Sequence, residues 1–133
     1  MRDVFADTSF YVALVNVRDD LHRSAIAFAR GFRGRVVTSE FVLLELGNSL
    51  AHSRRRMRFV KLVEELRARP STHIVPVSPQ LLNDGLAMYA RRPDKHWSMT
   101  DCISFVVMEE MGLTEALTAD RHFEQAGFTV LLA

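Results

Sequence analysis

The sequence predicts an α/β domain in which a parallel sheet of about five strands carries helices on both faces. Three observations predict it. Short apolar runs alternate along the chain with segments of helical length and period, the order that produces β-α-β units and hence a parallel sheet. The chain has 133 residues, within the roughly 100–200 residues of a single domain, so residues 1–133 are one unit. Hydrophobic residues make up 48% and charged residues 25%, a balance that supports a buried core and excludes intrinsic disorder.

Val4-Phe5-Ala6 is the first strand, stopped by Asp7-Thr8-Ser9, and Phe10 to Val15 continues as helix. Asp19 and Asp20 cap a second helix, in which Leu21, Ala25, Phe28, Ala29 and Phe32 recur near the helical period before Gly31 and Gly34 end it. Arg35-Val36-Val37-Thr38 is the second strand. From Ser39, an N-cap, the segment through Ser53 has helical length and an apolar surface broad enough to predict a mostly buried helix. After Arg54-Arg55-Arg56, the spacing of Phe59, Leu62, Val63 and Leu66 predicts an amphipathic helix that stops before Pro70.

Ile74 to Val77 is the third strand, its proline placing it at a sheet edge or strand end, and Ser78-Pro79 opens a helix that runs to about Arg91. A polar stretch from Arg92 to Met99 precedes Thr100, which caps a helix from Asp101 to Met111 ended by Gly112. Leu113 to Thr118 and Phe128 to Leu132 are the last strands, with a short helix at His122 to Gln125 between them.

Seventeen Lys+Arg against sixteen Asp+Glu give a net charge of +1, so any attraction to nucleic acid comes from a local patch and not from the whole-molecule field. The single cysteine forms no internal disulfide, and no charged-then-apolar leader precedes Asp3; a reducing cytoplasm is the expected compartment. No apolar run approaches the roughly 20 residues of a membrane span.

In parallel sheets, ligands bind beyond the carboxyl ends of the strands. Asp7 follows the first strand and Asp120 the fourth, Asp101 starts a helix at the same edge, and Glu45 interrupts the apolar run Phe41 to Leu46 in the helix leaving the second strand. Each has an ordinary alternative taken alone: Asp7 and Asp120 as turn or N-cap residues, Asp101 as a partner of the helix dipole, Glu45 as part of a polar stripe with Asn48, Ser49 and His52. Their joint placement favours a site. Four crowded carboxylates repel one another unless a cation neutralises them. An all-oxygen set suits Mg²⁺ or Mn²⁺, ions that habitually bind phosphate-bearing substrates. The implied chemistry is phosphodiester hydrolysis by metal-activated water.

With these residues in place, the chain resembles PIN domains, and most closely the small VapC-type ribonuclease toxins. The resemblance spans nearly the whole chain. It rests on Val4-Phe5-Ala6-Asp7-Thr8-Ser9, Thr38-Ser39-Glu40-Phe41-Val42-Leu43-Leu44-Glu45-Leu46, Ser98-Met99-Thr100-Asp101-Cys102-Ile103-Ser104 and Leu117-Thr118-Ala119-Asp120-Arg121-His122-Phe123 in that order and spacing. It implies a three-layer fold, metal-binding roles for Asp7, Glu45, Asp101 and Asp120, and hydroxyl groups at Thr8, Ser9, Thr100 and Thr118 that hold a carboxylate or water in place. It further implies an Mg²⁺- or Mn²⁺-dependent endoribonuclease acting on single-stranded or loop RNA, a homodimer, and a small antitoxin partner. Gly47 and Asn48 depart from the family pattern, which is usually more apolar or helix-favouring there.

For the polyanionic substrate, the sequence offers Arg54 and Arg55 within a basic cluster from His52 to Lys61, and Arg121 beside Asp120. A second group, Arg91, Arg92, Lys95 and His96, adjoins Trp97, which is available to stack on a base; both clusters are alternatively solvated faces. His122 is expected to pack or cap, and Cys102 to be a buried small hydrophobe. The alternative to a nuclease is a catalytically silent PIN-like module that binds RNA or protein; retention of all four acids argues against it.

Overall fold

The computed structural model describes residues 2–132. At the middle of its sheet, β1 (Asp3–Ala6) pairs in parallel with β2 (Arg35–Ser39) on one side and β4 (Glu115–Leu117) on the other. β3 (Thr72–Val75) lies outside β2 and β5 (Thr129–Val130) outside β4, giving the order β3-β2-β1-β4-β5 with every pairing parallel. Val4, Phe5 and Ala6 are all fully buried. Successive strand residues point to opposite faces, so both faces of β1 are covered, as a parallel sheet requires.

Among the described residues, seven helices make the crossovers. α1 (Thr8–Val15) and α2 (His22–Gly31) join β1 to β2, and α3 (Glu40–Ser49) and α4 (Arg56–Ala68) join β2 to β3. α5 (Pro79–Arg91) and α6 (Met99–Met111) lead to β4, and α7 (Arg121–Gln125) to β5. Residues Asp101 through Met108 of α6 are all buried. α5 packs against α6 at Gly85, where a Cβ would meet Ile103 Cγ1 at 2.4 Å, so the two backbones approach closer than any larger residue permits.

Several boundaries differ from the sequence expectation. α3 ends at Ser49, not Ser53: Gly47 and Asn48 are weak helix formers, and the Ser49 and Ser53 hydroxyls bond back to the Leu46 and Leu50 carbonyls. Nor is this helix mostly buried, since Leu44 is 60% exposed. Gly47 has a packing reason, because a Cβ there would lie 2.9 Å from the Phe59 ring of α4. The cap of α6 is Ser98 and not Thr100. The Ser98 hydroxyl accepts from the Asp101 amide while the Asp101 carboxylate accepts from the Ser98 amide, a reciprocal capping box that Thr100, two residues inside the helix, does not make. β3 covers Thr72–Val75 and stops before Pro76, which has no N–H to pair; it is an edge strand, as its proline predicts. β4 and β5 are shorter than their apolar runs suggest.

Apart from the cleft described below, a groove of about 660 Å³ opens between α1, α2 and α4. It is lined by the buried Phe10, Tyr11 and Leu66 and by Arg30, Arg58, Lys61 and Arg69, with Glu65 the one acid among the described residues that line it. Among the described residues, no helix is long and apolar enough to cross a membrane.

Candidate metal centre

The strand order reverses at β1, whose chain continues to β2 on one side while β4 closes the other. Such a switch point leaves a crevice beyond the strand ends. Asp7 and Asp120 sit at that crevice, one after β1 and the other after β4. α3 adds Glu45 and the first turn of α6 adds Asp101, so all four sequence-predicted acids line one cleft of about 440 Å³. Thr8, Ser9, Asp19, His96, Ser98 and His122 complete its polar wall.

Each aspartate is held through particular oxygens. The Thr118 hydroxyl donates to Asp7 Oδ2 at 3.0 Å, with Ser9 Oγ 3.5 Å from the same oxygen. Asp7 occupies the N-cap position of α1 yet makes no capping hydrogen bond; its carboxylate is turned across the sheet. Asp101 Oδ2 accepts the Ser98 amide at 3.0 Å and lies 2.9 Å from His122 Nδ1. Asp120 Oδ1 accepts the His122 amide at 2.8 Å, capping α7. Among the described residues, Asp101 Oδ1 and Asp120 Oδ2 have no protein donor. The capping roles that each aspartate has as an ordinary alternative are thus real for Asp101 and Asp120, and one oxygen of each suffices.

The electrostatics are one-sided. Among the described residues, five carboxylates line the cleft and no lysine or arginine does. Burial, with the charges of Asp101 and Glu45 adding to it, pushes the Asp7 carboxyl up to about 7 against the Thr118 hydrogen bond. Asp101 is pushed up chiefly by burial as well, and its hydrogen bonds from Ser98 and His122 oppose the shift. A divalent cation fits this arrangement. It would supply the positive charge that the protein withholds, and the Thr8 hydroxyl, buried in the cleft wall without a hydrogen-bond partner, has an acceptor lone pair to offer it or its water. Asp101, Asp120 and His122 each present a ligand atom within 4.8 Å of the others.

Other sequence candidates fall outside the cleft. Thr100 is half-buried on α6 and does not line it. Arg54 and Arg55 lie in the turns between α3 and α4, and Arg121 is exposed on α7. Trp97 is not available for base stacking: it is 7% exposed, edge-on to Phe105, and donates Nε1 to Gln125 Oε1 at 3.0 Å. Cys102 is buried, as expected. The residue that sequence reasoning missed is His122, whose ring joins the acids instead of packing away from them. Its only sequence signal is its position two residues after Asp120, in the first turn of a helix that starts at the strand edge.

Thr118 is the hub between two of the acids, since its hydroxyl donates to Asp7, accepts the Asp120 amide at 3.0 Å and meets Ser9 Oγ at 3.0 Å. Thr118→Val keeps the shape and strands these partners in a fully buried position. The expected cost is about 2 kcal/mol in thermal or denaturant unfolding, with Thr118→Ser close to wild type. Equal stability of the two variants would show that the hydroxyl holds nothing.

A PIN domain family profile matches residues 4–129. The 23S rRNA-specific endonuclease VapC20 of Mycobacterium tuberculosis is 30% identical over 125 residues, covering 94% of this chain and 95% of the relative. The crystal structure of that VapC20, described as a sarcin–ricin loop cleaving toxin, superposes with a TM-score of 0.87 at 28% identity, over 98% of this chain and 99% of that one. The DNA-bound VapBC of Salmonella typhimurium shares the fold at a TM-score of 0.68 and 18% identity, covering 98% of each chain.

Proposed function

The chain belongs to the PIN domain family, and from that premise we propose that it is an endoribonuclease dependent on Mg²⁺ or Mn²⁺, the toxin of a toxin–antitoxin pair. The observation that carries the proposal is the cleft at the switch point, in which Asp7, Glu45, Asp101 and Asp120 converge with no lysine or arginine among the described residues that line it. These four would hold the ion, with Ser9 and Thr118 fixing Asp7 and Ser98 fixing Asp101. When bound, a divalent ion lowers the pKa of a water and offsets charge on the phosphoryl and leaving oxygens.

The chain's own residues supply orientation and not a nucleophile. Cys102 is 1% exposed and burial pushes its thiol up, which leaves no reactive thiolate at the site. Arg121, next to Asp120 and exposed, and Arg54 and Arg55 beyond α3 are assigned to flanking phosphates of a substrate longer than the cleft. The substrate class is single-stranded or loop RNA, supported by the naming of VapC20 as a 23S rRNA endonuclease.

The partner set proposed is a small antitoxin and a second copy of the chain, in the cytoplasm. The groove between α1, α2 and α4 fits an antitoxin segment with an apolar face and acidic flanks, since four cations oppose one acid along it. Leu82, Leu86 and Tyr89, exposed at i, i+4 and i+7 along α5, are the apolar face assigned to pairing.

The test incubates purified, partner-free protein with a mixed-sequence single-stranded RNA and with a sarcin–ricin stem-loop, in Mg²⁺, in Mn²⁺ and in chelator. Cleavage with either metal, absent in chelator and restored by excess metal, is the expected result. Folded protein that cuts neither RNA in either metal, or cuts equally well in chelator, overturns the proposal.

A further inference from the structure

We propose that His122 is a positioning residue of this centre, one that holds Asp101 and Asp120 in a metal-ready arrangement without itself binding the ion. The inference rests on the metal-centre reading above and deepens it.

Asp101 and Asp120 come from different elements, and carboxylates brought this close repel one another. The His122 ring lies between them, with Nδ1 2.9 Å from Asp101 Oδ2 and 3.4 Å from Asp120 Oδ1. Both are oxygens that already accept a backbone amide, Ser98 on the first and His122 on the second. With its proton on Nδ1, the ring closes on the occupied oxygens and leaves Asp101 Oδ1 and Asp120 Oδ2 for a cation. To become a ligand through Nδ1, the ring would have to give up Asp101.

The ring's position is set from behind. Phe123, the next residue, is fully buried, edge-on to Phe105 of α6 at 4.9 Å between centroids and stacked on Phe5 of β1 at 6.3 Å. α7 is thereby fixed against the helix that carries Asp101 and the strand that leads to Asp7. Groups that orient metal ligands from outside the coordination sphere typically change metal affinity by 10–100-fold when removed.

The experiment measures Mn²⁺ binding by calorimetry and electron paramagnetic resonance for wild type, His122→Ala, His122→Asn and Asp101→Asn, with folding checked by circular dichroism. The Asn amide nitrogen stands where Nδ1 stands, so His122→Asn should stay near wild type while His122→Ala weakens Mn²⁺ binding about 10–100-fold. The Mn²⁺ spectrum of wild type should show no directly bound nitrogen. A directly coordinated nitrogen, an Asn variant as weak as a folded Ala variant, or an Ala variant that binds like wild type overturns the inference. Loss of binding in Asp101→Asn alongside an unaffected Ala variant leaves the metal-centre reading intact; wild type that binds no Mn²⁺ overturns both.

Discussion

Asp101→Asn is expected to lower metal-dependent RNA cleavage by roughly 10³-fold, about 4 kcal/mol of barrier, while leaving the fold unchanged. The argument is that the two jobs of this side chain separate. Its Oδ2 caps α6 by accepting the Ser98 amide, and an asparagine carbonyl accepts the same bond. Its negative charge, in a cleft lined by no lysine or arginine among the described residues, is needed to hold a cation and is lost. Single-turnover cleavage beside a circular-dichroism melt checks both halves. Cleavage within tenfold of wild type would remove Asp101 from the centre, whereas a collapsed melt would make the capping box the dominant role.

Asp7→Asn should raise the stability of the metal-free protein at neutral and higher pH. The folded protein holds the Asp7 carboxyl at about 7, raised from 3.8 chiefly by burial, so between these pH values the folded state binds a proton that the unfolded chain has released. Stability from this group is therefore greatest below the unfolded value and falls as pH rises towards 7. By linkage the loss is at most about 4 kcal/mol above pH 7. In chelator at pH 8, Asp7→Asn should melt roughly 10 °C above wild type, with the difference vanishing at pH 4. Saturating Mn²⁺ should reverse the order, because only the acid-complete protein gains stability by binding. Equal melting temperatures at pH 8 in chelator would show that Asp7 ionises without penalty.

These two expectations share a cause, the concentration of unneutralised acid at a buried strand end, and the sequence carries that cause openly. Alternation of apolar runs with helical periods reveals the parallel sheet, and the strand-end rule places Asp7 and Asp120 at one edge. Glu45 and Asp101 follow because every crossover helix starts there. Thr118 is also readable beside Asp120, although its role as donor to Asp7 depends on which strands are neighbours, a fact that no local pattern contains.

What escapes the sequence is what depends on side-chain direction. Trp97 looks like a stacking platform amid Arg92, Lys95 and His96, but its ring packs on Phe105 and under the Arg92 guanidinium, 5.0 Å from its centroid. His122 reads as an ordinary packing residue until α7 turns its ring onto two carboxylates. The end of α3 eludes periodicity because apolar residues continue to Leu50 after Gly47 and Asn48 have weakened the helix. The cap of α6 was available locally, as Ser98-Met99-Thr100-Asp101 has the capping-box spacing; Thr100, nearer the apolar run, competes with it.

The central position of β1 has a further consequence, for the life of the chain before it is complete. Asp7 is among the first residues synthesised, and the Thr118 hydroxyl that orients it lies 111 positions later. Parallel pairing across such a separation is slow to form, and here it waits on residues 115–117 as well. A growing or truncated copy that has made only β1 to β3 holds Asp7 and Glu45 but lacks Asp101 and Asp120, so the four-acid cleft is complete only when almost the whole chain has been made.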